Sequence, residues 1–189
     1  EVTYSRFAEY ILTAVQAKRG NYLIFFPSYK FMEDVYFVLE PRFEKRNITC
    51  IMQKQNMTEK DREEFLGEFE REREDSLIGL CVMGGIFSEG IDLTRDRLIG
   101  AVIVGTGLPQ VCNEREILKQ YFDKINGRGF DYSYLYPGMN KVLQAAGRVI
   151  RTEADKGVVL LLDDRFMLRQ YQEIFPREWT NYKPCTVDK

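Results

Sequence analysis

The sequence predicts an α/β fold, a parallel sheet with helices on both faces and a small insertion between the fourth and fifth strands, and three observations predict it. Five short runs are apolar without alternation: "YLIFF" (Tyr22–Phe26), "ITCIM" (Ile48–Met52), "SLIGLCVM" (Ser76–Met83), "LIGAVIVG" (Leu98–Gly105) and "GVVLLLD" (Gly157–Asp163). Strands buried on both faces have this character. Segments of helical spacing separate most of them, the pattern of strand, crossover helix and parallel strand. With 189 residues and 44% hydrophobic content, the chain has enough apolar side chains for one domain with a full core.

The opening residues place Phe7, Tyr10, Ile11, Ala14 and Val15 at helical spacing, and Gly20 is the stop signal before the first strand. In "PSYKFMEDVYFVLE" Ser28 is the expected N-cap, with Phe31, Val35, Val38 and Leu39 on one face of the helix that follows. "TEKDREEFLGEFERE" (Thr58–Glu72) reads as an amphipathic helix. The mixed charges from Glu59 to Glu74 read as its solvated face, laced with i, i+4 ion pairs. Residues 112–138, including "NGRGFDYSYLYPG", form the polar and aromatic insertion. Its tyrosines suit either stacking on nucleobases or packing into a small core of their own. A last helix is expected from about Arg165 to Ile174.

Composition removes several classes of function. Histidine is absent, which excludes Ser-His and Cys-His catalysis and histidine zinc sites within the segment. The four cysteines, Cys50, Cys81, Cys112 and Cys185, are scattered without a C-x-x-C pair; three sit in or beside apolar runs and read as reduced core thiols of an intracellular protein. A net charge of -2 argues against coating nucleic acid by bulk electrostatics but leaves room for a local basic groove. No apolar run approaches the roughly 20 residues of a membrane span, and "EVTYSRFAEY" carries no signal pattern. No membrane partner and a cytoplasmic location are therefore expected.

Three stretches carry candidate chemistry. In "QAAGRVIR" (Gln144–Arg151), read as helix, Gln144, Arg148 and Arg151 fall at i, i+4 and i+7 on one stripe. Gly147 interrupts it, at a cost of about 1 kcal/mol in a helix interior, which suggests that something approaches the backbone beside Arg148. Alone the stretch fits an exposed basic face; it also fits an anion site, because arginine forks match phosphate oxygens. "FFPSYK" puts Ser28 and Tyr29 directly after a strand at a helix N-terminus, where free N–H groups attract phosphate, although N-capping suffices to explain Ser28. "GGIFSEGIDL" (Gly84–Leu93) adds Gly84, Gly85 and Gly90, which let a ligand near the backbone, with Glu89 and Asp92 as carboxylates for a ribose hydroxyl or an arginine. All three are expected at the carboxyl ends of the strands. The chain contains no G-x-x-x-x-G-K followed by Ser or Thr, so arginines without a phosphate cradle point to half of a composite site.

In order and spacing, "YLIFFPSYKFMEDV", "GGIFSEGIDL" and "QAAGRVIRTEADKGVVLLLDDRF" resemble motifs IV, V and VI of the second motor domain of XPD/DinG-type superfamily-two DNA helicases, with the bacterial DinG-like branch the most similar. The resemblance covers about Tyr22 to Phe166. It implies a RecA-like domain, spanning residues 1–189 with 112–138 as its insertion, that closes on ATP and Mg2+ held mainly by a first motor domain outside this chain. Arg148 and Arg151 would be arginine fingers, with Gln144 supporting them. Glu89, Gly90, Asp92 and Gly147 would line the nucleotide side. Ser28, Tyr29, Gly84, Gly85 and Ser88 would touch single-stranded DNA. The sequence departs from the family at the start of motif V, where many helicases carry threonine or a basic residue and this chain has Gly84 and Gly85. Iron–sulfur cysteines, where family members have them, belong to the first motor domain, so the resemblance leaves a cluster open for a parent protein and implies none in this segment.

The resemblance thus implies an ATP-dependent DNA helicase of the bacterial cytoplasm, associated with the nucleoid and partnered by single-stranded DNA and by the first motor domain of its own chain. Two other readings stand beside it: a nuclease-associated protein with a reduced motor, and a non-enzymatic module that recruits nucleic acid or a partner. The 189-residue chain alone is expected not to hydrolyse ATP, since it has no P-loop; robust hydrolysis by the purified chain would refute the composite site.

Overall fold

The computed structural model describes residues 2–87, 97–150 and 156–186. Strands β1 (Asn21–Phe26), β2 (Ile48–Met52), β3 (Ser76–Val82), β4 (Gly100–Val104) and β5 (Val158–Leu162) form one five-stranded sheet in the order β2-β3-β1-β4-β5. Every pairing is parallel, with Phe25 opposite Cys81 on one side and Ile103 on the other. The continuous apolar runs follow from this topology, because alternate residues of each strand enter two different cores.

One core gathers Leu23, Phe25, Leu77, Cys81, Ala101 and Ile103 under helices α3 (Glu59–Glu68) and α5 (Tyr136–Ala146), which contribute Phe65, Met139, Val142 and Ala145. The opposite core gathers Tyr22, Ile24, Phe26, Ile78, Leu80, Val102 and Val104 under α1 (Val2–Ala17) and α2 (Tyr29–Phe43). Ala8, Ile11, Leu12 and Val15 of α1, with Met32, Val35 and Leu39 of α2, form the facing stripes. Caps set where these helices begin. The Ser28 hydroxyl accepts from Phe31 N at 3.2 Å, and Thr58 and Asp61 form a reciprocal capping box at 3.2 and 2.8 Å. The bonds from the Thr58 side chain and backbone hold the Asp61 carboxyl below its ordinary range. At Gly20 a Cβ would collide with the Ile99 side chain, so the stop between α1 and β1 is a close approach.

Five expectations need correction. The charged helix ends at Glu68, four residues early. Beyond it Phe69 turns into the core beside Phe65, and Arg73 pairs with Glu68 and Arg97 with Glu70 to tie the connecting loop. Only Lys60–Glu64 is an i, i+4 pair in this stretch; Arg62–Glu59 and Arg71–Glu68 are i, i+3. The helix expected from Arg165 to Ile174 is a 3₁₀ turn (Asp164–Met167) followed by the short α6 (Arg169–Gln172). Phe166 and Tyr171 are both buried, and their spacing of five does not fit one α-helical face, so the chain extends at Leu168 to bring both inward. Cys112, read as a core thiol beside an apolar run, is exposed, as is Cys185. Cys81 is buried, and burial together with the Glu40 charge pushes the Cys50 thiol up to about 12. The other two, to the conformation and to the position of the stretch around Gly147, belong with the site.

Residues 113–126 of the insertion form α4 (Asn113–Asn126), none of whose residues is buried. A π-helical turn (Asp131–Leu135) then runs directly into α5. The insertion's aromatic rings meet one another: Phe122 stacks on Tyr132 at 4.4 Å, and Tyr132 meets Tyr136 edge-on at 5.3 Å. No described helix is long and apolar enough to cross a membrane.

Two glycines give a paired stability test. A Cβ at Gly79 would stand 2.7 Å from Phe69 Cζ and 3.0 Å from Leu23 Cδ2, whereas at Gly67 nothing lies within 4 Å. Gly79→Val should therefore lower the urea midpoint by the equivalent of about 1–3 kcal/mol. Gly67→Ala should raise it by about 0.5–1 kcal/mol through helix propensity.

Candidate functional site

At the carboxyl edge of the sheet, the loops after β1 and β3 are joined through a residue that follows β2. Gln53 is 3% exposed. Its backbone N donates to Leu80 O at 2.8 Å, its Oε1 accepts from Val82 N at 2.9 Å, and its Nε2 donates to the Tyr29 hydroxyl at 2.8 Å. Its amide also backs Gly85, where a Cβ would stand 3.0 Å from Nε2. The turn after β3 is held further by Met83 N donating to Phe26 O at 2.8 Å and Gly85 N to Val82 O at 3.1 Å. Gly84 has φ +72°, a left-handed conformation that favours glycine. Phe87, fully buried and stacked on Phe65 at 4.2 Å, anchors the segment that leaves this turn.

The loop after β4 fastens α5 to the same edge. Gly107 has φ +65°, and a Cβ there would stand 2.7 Å from Gly138 O; a Cβ at Gly138 would stand 2.8 Å from Thr106 O. Backbone lies against backbone, and two glycines make that contact. One turn further along α5, the Lys141 stem lies across Gly84, with Cδ and Cε each 3.2 Å from the position a Cβ would take.

From there α5 crosses the sheet to the other edge. Val149, just beyond its end, is buried against Gly157, where a Cβ would also lie 3.0 Å from Ile99 O. Ile99 and Gly157 immediately precede β4 and β5. Arg148 therefore sits toward the amino edge, and the expectation of three candidate stretches gathered at the carboxyl edge is corrected. An eleven-residue helix is about 16 Å long, close to the length of a five-residue strand, so it spans the sheet.

The helical reading of Gln144 to Arg151 is corrected too. The helix ends at Ala146, Gly147 is its C-cap, and Arg148 and Val149 continue as a tighter turn, donating to Ala145 O and Ala146 O at 3.2 Å. Gly147 thus escapes the full cost of a helix-interior glycine. Its φ of -66° and ψ of -2° suit any residue, and it is exposed, so conformation does not explain the choice of glycine. Gln144 is exposed and Arg148 half-buried. At the end of β5, Asp163 holds Arg165 in a two-pronged pair at 2.9 and 2.7 Å. Burial raises the Asp163 carboxyl, but the bonds from Arg165 outweigh it and leave it lowered.

The structure thus brings Ser28, Tyr29, Gly84 and Gly85 together at one edge, and carries Gln144, Gly147 and Arg148 away from them on α5. The Ser28 oxygen is engaged in its cap. Ser88, Glu89, Gly90, Asp92 and Arg151 lie outside the described residues. Gln53, Lys141 and the Gly107–Gly138 contact went unread in the sequence. A polar residue directly after the apolar run "ITCIM" was the available signal for Gln53; nothing local marks the other two. Gln53→Leu should strand the Val82 N–H in the interior and lower stability by about 1–3 kcal/mol in urea unfolding, whereas the exposed Gln120→Leu should change it little.

Residues 11–182 match the family described as Helicase C-terminal domain. The chain is 31% identical over 169 residues, 82% of its length and 25% of the relative's, to the probable ATP-dependent helicase MJ0942 of Methanocaldococcus jannaschii. It is 30% identical over 151 residues, 79% of its length and 21% of the relative's, to the ATP-dependent DNA helicase DinG of Photobacterium profundum. A solved XPD helicase structure superposes on 90% of this chain and 29% of its own with a TM-score of 0.70 and 26% identity. The chain spans about a quarter of the length of the curated relatives it matches. By its family match, its parallel sheet and its likeness to DinG and XPD, the chain belongs to the Helicase C-terminal domain family, as a RecA-like domain of the XPD/DinG type.

Proposed function

We propose that this chain is the second motor domain of an ATP-dependent DNA helicase, which supplies arginines to a nucleotide held mainly by a first motor domain and contributes part of a single-strand track. The observation that carries the reading is the turn at the end of α5. Gly147 is exposed and has no conformational need to be glycine, while the arginine beside it is half-buried and the next residue, Val149, is pinned against Gly157. A phosphate drawn close to the backbone accounts for the glycine. A guanidinium placed in advance accounts for the buried anchor, because preorganised charge stabilises a transition state without reorganisation.

On this reading Arg148 and Arg151 stabilise charge on the transferred phosphoryl group, and Gln144 supports the nucleotide or its water. Asp92 meets the ribose or the interdomain arginines, Glu89 with Gly90 couples the nucleotide to the strand, and Ser28, Tyr29, Gly84, Gly85 and Ser88 meet the DNA backbone. Mg2+ would be held with the nucleotide by the first motor domain; the described residues contain no group of three or more acidic or thiol side chains suited to a metal. Closure on ATP and release after hydrolysis would advance the strand. Two edges joined by one helix suit that coupling.

In the full-length protein, Arg148→Ala should lower single-strand-stimulated ATP hydrolysis by about 10³-fold or more while DNA binding, measured in parallel, persists. A wild-type protein with no stimulated hydrolysis would instead favour a reduced motor or a recruitment module.

A further inference from the structure

Among the described residues, the turn at Gly84 and Gly85 carries no cation of its own. The turn after β3 contributes glycines, and Lys30, beside Tyr29, is paired with Asp34 at 3.2 Å. A positive charge over that turn comes from a different element. Lys141 projects from α5 across Gly84, and its Cδ and Cε fill the space a side chain at Gly84 would need. Gly84 therefore answers two demands, a left-handed backbone and room for the lysine stem. Among the described residues Lys141 has no hydrogen bond or ion pair, although it is half-buried. The first turn of α5 is locked by the Gly107–Gly138 backbone contact, so the lysine is held there by packing and not by an acidic partner.

We propose that Lys141 is a phosphate-contacting residue of the single-strand track, supplying from α5 the charge that the Gly84–Gly85 turn lacks. The inference rests on the track reading given above. Its ligand is the phosphodiester backbone: a point charge on a flexible stem suits a phosphate oxygen without reading base sequence. Lys141 also stands on the same helix that leads to Arg148, which gives the strand a contact on the element that ends at the proposed nucleotide site.

The test measures affinity of the full-length protein for a fluorescent oligothymidylate across a sodium chloride series, for wild type, Lys141→Gln and Lys141→Arg, with thermal melting recorded for each. The expected result is several-fold weaker binding by Lys141→Gln at low salt, and a slope of log affinity against log salt reduced by about 0.7, the value of one single-strand phosphate contact. Lys141→Arg should restore the slope. If Lys141→Gln retains the wild-type slope, whatever happens to its melting temperature, the inference is overturned and the track reading survives. If the wild type itself shows no salt-dependent binding, the track reading falls and takes the inference with it.

Discussion

The arrangement of this domain depends on how closely α5 lies against the sheet. Small residues set that distance: Ala145 on the helix and Ala101 on β4 are buried in the core between them, and Gly107 and Gly138 let two backbones touch where the helix begins. Met139 and Val142 are buried in the same core as Phe25, Ile103 and Leu135. A larger side chain at either glycine would lift the start of the helix and shift everything it carries. Close-packed interiors do not absorb such changes smoothly. The helix is therefore a strut between the two edges of the sheet, with Lys141 at its middle and Arg148 just past its C-terminal end.

At the carboxyl edge a single buried amide has a comparable role. Gln53 uses both ends of its side chain, one on the backbone of β3 and one on the Tyr29 hydroxyl. A buried polar group that is fully satisfied adds directional constraint that apolar packing lacks, and its loss leaves partners that water cannot reach. The loops after β1 and β3 are thus held in register with each other. Candidate contacts on both, Tyr29 and the Gly84–Gly85 turn, keep a set spacing.

The surface charges contribute in a different way. Most ion pairs here are exposed or local along a helix, such as Lys60–Glu64 and Arg169–Glu173, and pairs of that kind add about 0–1 kcal/mol each. With 29 acidic residues against 27 basic ones, the net charge is only -2. In a chain so balanced, an anion site depends on a few positioned cations and not on bulk charge. Arg165 is committed to Asp163, and Arg148 is half-buried in a turn whose next residue is locked by packing.

Much of the fold was legible in the sequence, because burial on both faces leaves continuous apolar runs and a helix leaves a period: all five strands, the Ser28 cap and the face of α2 around Val35 and Leu39 stand where the pattern puts them. The ends of elements were less legible. Where α3 stops, why the chain breaks at Leu168 and why α5 ends at Ala146 depend on Phe69, Phe166, Tyr171 and Val149 finding places in cores built by distant strands. For the site, local chemistry marked Gln144, Gly147 and Arg148 as a group and Gly84 and Gly85 as another, since residue type and spacing are local properties. Their separation to opposite edges, the Gln53 bridge and the seat of Lys141 over Gly84 were decided only by tertiary structure. Each is a contact between residues far apart in the chain, set by strand order and by the direction in which α5 crosses the sheet.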